Sequence, residues 1–220
     1  MKTNKMSLFS GLFAACLVLS LQVSFADEQF LGFKSSELCI KHMTELQEIV
    51  DADQADRKSL ELSKQIILRD QKRRMRVGEL FGEGCFRESK DYAAAALVFQ
   101  HGETSDHFFQ AFLWAKQAVD LGDSSQQKLM VMAIDRYLLN KGQKQLFATQ
   151  IIKFENDPCW CLQPVEKSFP ESKRKKVTGK GLEDVVHYIR SLNSELKCSK
   201  PVECVKNLKP TPRGSIPGFW

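Results

Sequence analysis

The chain has 220 residues, 43% hydrophobic and 27% charged, with 12 Gly, 7 Pro and 7 Cys. This composition excludes disordered and collagen-like chains and fits one globular domain of ordinary size. The formal net charge is +5, and two of those charges, Lys2 and Lys5, fall in the leader described next, so what remains is too even to require a nucleic-acid partner.

Residues 1–26 begin with Lys2 and Lys5, continue through an apolar run over 8–23 with no acidic residue, and close on Ser24, Phe25 and Ala26 before Asp27 and Glu28. That is the pattern of a secretory signal peptide: small residues stand at the cleavage site and polar sequence resumes at once. The expected location is periplasmic or secreted, with no permanent membrane span after cleavage. Lipidation at Cys16 is the disfavoured alternative, because Phe13 suits a lipoprotein box poorly and the apolar run continues past Cys16. The mature chain then divides into a single helical domain over 27–196, irregular across 151–180, and a Cys/Pro-rich tail over 197–220. About 195 residues suffice to bury roughly 70% of the unfolded chain's surface. Disulfides are therefore supplements to a core.

The cysteines left after cleavage, Cys39, Cys85, Cys159, Cys161, Cys198 and Cys204, are even in number, as a disulfide-bearing exported chain requires. Cys198 and Cys204 read as a local loop closure. Cys159 and Cys161 share one face of an extended segment and are poorly placed to pair with each other. A zinc site from Cys159, Cys161, Cys198, Cys204 or His187 is the weaker alternative, and no cofactor is expected.

Apolar residues at helical spacing predict a helix over 36–50. Asp53 then stands as a candidate N-cap, with Asp56 in the first turn, of a second helix over 59–81. Its stripe runs Leu62, Ile66, Asp70, Arg73 or Arg74, Val77 and Leu80, so charged groups occupy positions expected to be apolar; Gly82 and Gly84 end it. Asp91 is the expected N-cap of a helix that is apolar on all sides and closes on Gln100, His101 and Gly102. Two further helices, one through Phe108 to Val119 and one over 126–139, look like one unit of a helical-hairpin repeat, although no second copy recurs. A last helix spans 182–192. The predicted fold is mainly α, a repeat-like helical-hairpin bundle with an irregular, disulfide-bearing C-terminal region.

Asp135 lies between Val131 and Leu139 on the helical wheel and cannot avoid burial, which calls for a partner. Arg57, Arg69, Arg73 and Arg74 are the candidates, while Asp70 and Arg74 are spaced to pair within their helix. Together Asp53, Arg57, Asp70, Arg73, Arg74 and Asp91 read as a structural network. His101, at a helix end, reads as a capping group or a general base. The runs 72–76 and 173–176 read as solvated basic faces. The nucleophile elbow, phosphate loop, His-Glu-x-x-His and dinucleotide patterns are absent from the sequence.

The patterns Asp53-Gln54-Ala55-Asp56-Arg57, Arg69-Asp70-x-x-Arg73-Arg74, Phe99-Gln100-His101-Gly102, Asp135-Arg136-Tyr137-Leu138 and Gly142-x-x-Gln145-x-Phe147-Ala148-Thr149-Gln150 together resemble those of a family of uncharacterised bacterial proteins. The resemblance covers about residues 45–193. It implies a mainly helical fold and no established activity, and its pattern has Gly where Ala148 stands. Two functional classes follow. One is a non-enzymatic binding module of the cell envelope that engages a protein partner through helix faces and the Phe219–Trp220 end. The other is an enzyme or small-ligand receptor, with His101, Asp135 and Arg136 as candidate catalytic groups and Gln100, Gln145, Thr149 and Gln150 holding a small polar ligand. The second requires three separate segments to converge.

Overall fold

The computed structural model describes residues 36–58, 63–153 and 158–220; the leader lies outside them. Among the described residues seven α-helices dominate: α1 (Ser36–Lys58), α2 (Ser63–Gly82), α3 (Ser89–Gln100), α4 (Ser105–Asp120), α5 (Gln127–Asn140), α6 (Glu171–Thr178) and α7 (Leu182–Glu195). The sheet among the described residues is one antiparallel pair, β1 (Ile151–Lys153) with β2 (Trp160–Leu162). Among the described residues no helix is long and apolar enough to cross a membrane.

Helix α1 does not stop near Val50. No Gly or Pro interrupts it, Gln47 and Arg57 bond to Asp51 and Asp53 four residues away, and Arg57 and Lys58 suit the negative end of the helix. Asp53 is therefore an interior residue of α1 and not the N-cap of α2. Asp91 is likewise not an N-cap. Glu88 holds that position, and the Asp91 carboxylate reaches back to accept from the N–H groups of Arg87 (3.0 Å) and Glu88 (2.9 Å).

Helices α3, α4 and α5 pack on one another in succession. Ala95 and Ala96 of α3 and Ala111, Ala115 and Ala118 of α4 are fully buried at the contact, because a methyl side chain lets helix backbones approach closely. Trp114 closes one end against Phe81, Phe86 and Phe99. The chain's end docks on the other side of this core: Phe219 packs on Phe147 and Phe112, and Trp220 stacks edge-on to Phe169 while its Nε1 donates to Thr211 O.

Three disulfides tie the chain: Cys39–Cys85, Cys159–Cys198 and Cys161–Cys204. The local Cys198–Cys204 closure does not form. Leu162 N–H donates to Val202 O and Cys204 N–H to Leu162 O, so the tail runs parallel alongside β2 with Glu203 opposite Leu162, which brings Cys204 within reach of Cys161. Asn193 of α7 grips both backbone groups of Trp160, which brings Cys198 to Cys159. The basic run 173–176 is not uniformly solvated either. Arg174 is 2% exposed, donating to Leu146 O, Glu166 O and Glu171.

The partner of buried Asp135 is backbone, not arginine. Oδ1 accepts from the N–H groups of Leu146 (2.8 Å) and Phe147 (3.0 Å), and Oδ2 from Thr149 N–H (3.0 Å) and Thr149 Oγ1 (2.8 Å). Burial pushes this carboxyl's pKa up, against the pull of those four donors toward the ionised form. Between the donors sits Ala148 at φ 59°, a left-handed conformation that costs an L-residue on the order of 1 kcal/mol and persists because both neighbours are pinned. Asp135→Asn turns one acceptor into a donor facing these N–H groups. A loss of about 3 kcal/mol in urea denaturation is expected, with the two-stranded sheet and α7 losing hydrogen-exchange protection first.

Candidate functional site

The charged residues of α1 and α2 form one chain of alternating sign that ends on His101. Asp56 takes a two-point contact from Arg69 (2.9 Å and 2.9 Å) and a bond from Arg73 (2.6 Å). Arg73 also reaches Asp70 (2.9 Å); Asp70 meets Arg57, and Arg57 donates to Asp53 (3.2 Å). Asp70 therefore pairs with Arg57 and Arg73 and not with Arg74. Arg74 turns the other way, donating to His101 O (3.0 Å) and Glu103 (3.1 Å) at the C-terminal end of α3, where carbonyls lack partners.

Asp53, with a side chain only 1% exposed, bonds His101 Nδ1 at 2.9 Å. Burial disfavours this carboxylate, yet the bonds from His101, Arg57 and Gln54 hold it below its ordinary pKa. An anionic acceptor at Nδ1 puts a proton there and leaves Nε2, which has no hydrogen-bond partner among the described residues, as the nitrogen free to accept or deliver one. Gly102 makes the sharp exit after His101 feasible, since a Cβ on it would come within 2.3 Å of His107 Cβ.

His101 lines a cleft of about 520 Å³ together with Gln100, Arg136, Met132, Leu129, Lys128 and Lys90. Two features of this wall stand out. Gln100 is 2% exposed, and neither Oε1 nor Nε2 of its amide has a hydrogen-bond partner. A buried amide in that state costs about 1–3 kcal/mol. Arg136 donates to Gln100 O (2.6 Å) and Gln150 Oε1 (3.2 Å) but meets no carboxylate among the described residues. Burial, and then the nearby Arg57 charge, pull its pKa down, as expected for a cation lacking its counterion. Asp123 is the only acidic residue on a wall that also carries Lys90, Lys128 and Arg136, and its carboxylate accepts from Ser125 and Gln126.

The seven residues expected to form a pocket thus separate into two groups. Gln100, His101 and Arg136 converge on the cleft, with Gln150 bracing Arg136 from behind. Asp135 and Thr149 bond to each other, and Gln145 is saturated by Gln150 N–H, Gln150 O and Gln163 O, so these three build the turn behind the site. Sequence reasoning missed Asp53 as the partner of His101, because a helix break near Val50 hid its i,i+4 relation to Arg57. It also missed Lys90, Lys128 and Met132, exposed or half-buried positions without a pattern. Behind the turn, a second and more apolar cavity of about 430 Å³ shares Lys128 and Met132 with the cleft and is walled by Val131, Phe147, Ala148, Ile151 and Val185.

No family model, curated protein or solved structure matches the chain.

The acid limb of stability follows from Asp56, whose hydrogen bond to Arg69 and further bonds and charges from Arg73 lower its pKa to about 2. The stabilisation from a lowered carboxyl pKa is complete above the unfolded value, about 4, and disappears as pH falls through the folded one. The melting temperature should therefore fall between about pH 4 and pH 2, and Asp56→Asn should flatten that decline. A wild-type slope in the variant would show that other carboxylates carry it.

Proposed function

We propose that the cleft between α1, the end of α3 and α5 binds a small organic anion, and that the protein is an extracytoplasmic receptor for it. The observation that carries this reading is the pairing of an unpartnered buried Gln100 amide with a largely buried, carboxylate-free Arg136 on one cleft wall. A guanidinium and an amide side by side supply charge and directional hydrogen bonds to a carboxylate or phosphate group. Lys128 and Lys90 add positive potential at the rim, and Met132 offers an adaptable apolar surface to the rest of the ligand. His101, oriented by Asp53, supplies a further donor, or a base if the bound anion is also turned over.

Three disulfides fit an oxidising compartment. Export by removal of residues 1–26 belongs to the proposal, and the recovered protein should then begin at Asp27 when its N-terminus is sequenced. Partner capture by the Phe219–Trp220 end draws less support, because both rings are committed to the body of the protein.

Calorimetric titration with inorganic phosphate, acetate, succinate and benzoate tests the anion reading. At least one should bind and raise the melting temperature, by the equivalent of about 2.7 kcal/mol at a hundredfold excess over its dissociation constant. The binding should weaken as salt rises. Arg136→Gln, which keeps a donor toward Gln100 O, should weaken it at least tenfold, about 1.4 kcal/mol. Binding unaffected by that change, or none by any of the four, overturns the reading.

A further inference from the structure

Outside the cleft wall, the Cys39–Cys85 disulfide is crowded by two side chains of metal-ligating type. Cys39 and His42 lie three residues apart on α1 and share a face, while Glu83 and Cys85 follow the end of α2. Cys39, His42 and Cys85 are all buried. His42 Nδ1 stands 2.7 Å from Glu83 Oε2 and 3.8 Å from Cys85 Sγ. That contact is an ion-pair approach; the buried Oε2 makes no hydrogen bond. A buried carboxylate oxygen, an imidazole nitrogen and a sulfur within 4.8 Å of one another form a ligand cluster, and no other of its kind occurs among the described residues. Among the described residues neither of the other two disulfides has such neighbours.

We propose that the chain with Cys39 and Cys85 still reduced binds a zinc-class divalent cation through both thiolates, His42 Nδ1 and the Glu83 carboxylate, and that closing the disulfide expels the ion. Two sulfurs, one nitrogen and one oxygen match the donors and coordination number zinc takes in closed sites. Bond lengths of about 2.0–2.3 Å around a tetrahedral ion place donors roughly 3.3–3.8 Å apart. The nitrogen–sulfur distance of 3.8 Å meets that already, the nitrogen–oxygen distance of 2.7 Å needs to open by roughly half an ångström, and the two sulfurs, 2.04 Å apart in the disulfide, must separate by roughly 1.7 Å once the bond is reduced. The chain is synthesised with thiols. On coordination each thiol gives its proton to water. On oxidation the two thiolates pass two electrons to a disulfide oxidant, which is released as two thiol groups after taking up two protons, and the cation returns to water. The same four side chains would thus hold α1 against the end of α2 before and after oxidation.

The test uses the full mature chain, reduced by a phosphine and freed of it without air, then titrated with Co²⁺ and back-titrated with Zn²⁺. A thiolate-to-cobalt charge-transfer band that saturates at one equivalent and is displaced by zinc is expected, absent from the oxidised protein. His42→Ala should weaken cobalt binding at least about tenfold. Cys39→Ser should abolish the band whether or not His42→Ala folds, whereas Cys159→Ser with Cys198→Ser should leave it intact. Oxidised glutathione should then release zinc to a chromophoric chelator in step with Cys39–Cys85 formation. No band, or a band indifferent to both His42→Ala and Cys39→Ser, overturns the proposal. Neither outcome touches the anion cleft, which is assayed in the oxidised protein.

Discussion

The C-terminal third of the molecule hangs on one carboxylate. Asp135 sits inside α5, where an ionised side chain would cost several kcal/mol if left alone, and it is retained because four donors of the following turn converge on its two oxygens. The turn so fixed presents Leu146 O to Arg174, which in turn holds Glu166 O. Glu166 then accepts from Thr211 N–H in the tail. A path of hydrogen bonds runs from one aspartate through the loop and α6 to the last residues of the chain.

The same carboxylate sets the cleft. Gln150 follows Thr149 directly, Gln145 holds its backbone, and its side chain is thereby placed to accept from Arg136, the residue after Asp135 on α5. Adjacent residues on one helix have divided the work: Asp135 faces inward and organises the turn, while Arg136 faces the cleft and is steadied by it. A change at Asp135 therefore reaches the site through structure. His101 is steadied independently, from α1, by Asp53 and the ion-pair chain behind it.

Helices were legible because their apolar stripes and Gly punctuation are local. The limits of local reasoning show at particular residues. Asp135 was recognisable as a buried acid, but pairing logic looks for a cation, and backbone N–H groups carry no sequence signature. Asp70 and Arg74 had the spacing of an intrahelical pair, yet Arg57 and Arg73 offered Asp70 better geometry while the open carbonyls at the end of α3 drew Arg74 away. Two cysteines six residues apart in the tail look like a loop closure until the register of the tail against β2 is known, and that register is set by non-local hydrogen bonds. Nor does the sequence signal that Ala148 takes a left-handed backbone, the conformation glycine accepts without strain.

The end of α3 supports the proposal that the cleft takes an anion rather than a cation. A helix C-terminus carries partial negative charge and unpaired carbonyls, and here it is met by Arg74 from one side and Arg136 from the other, with His101 as the capping residue. Arg74 is balanced by Glu103 and His101 by Asp53, but Arg136 has only carbonyl and amide oxygens. The helix end offsets about half a unit of charge across the whole turn, shared between two guanidinium groups, so a positive remainder persists on the cleft side. Burial prevents water from screening that remainder fully, and Arg57 adds to it at a distance. An anion placed against Arg136 would cancel this imbalance and give the Gln100 amide a partner in the same event; a cation would worsen the first and compete with Arg136 for the second.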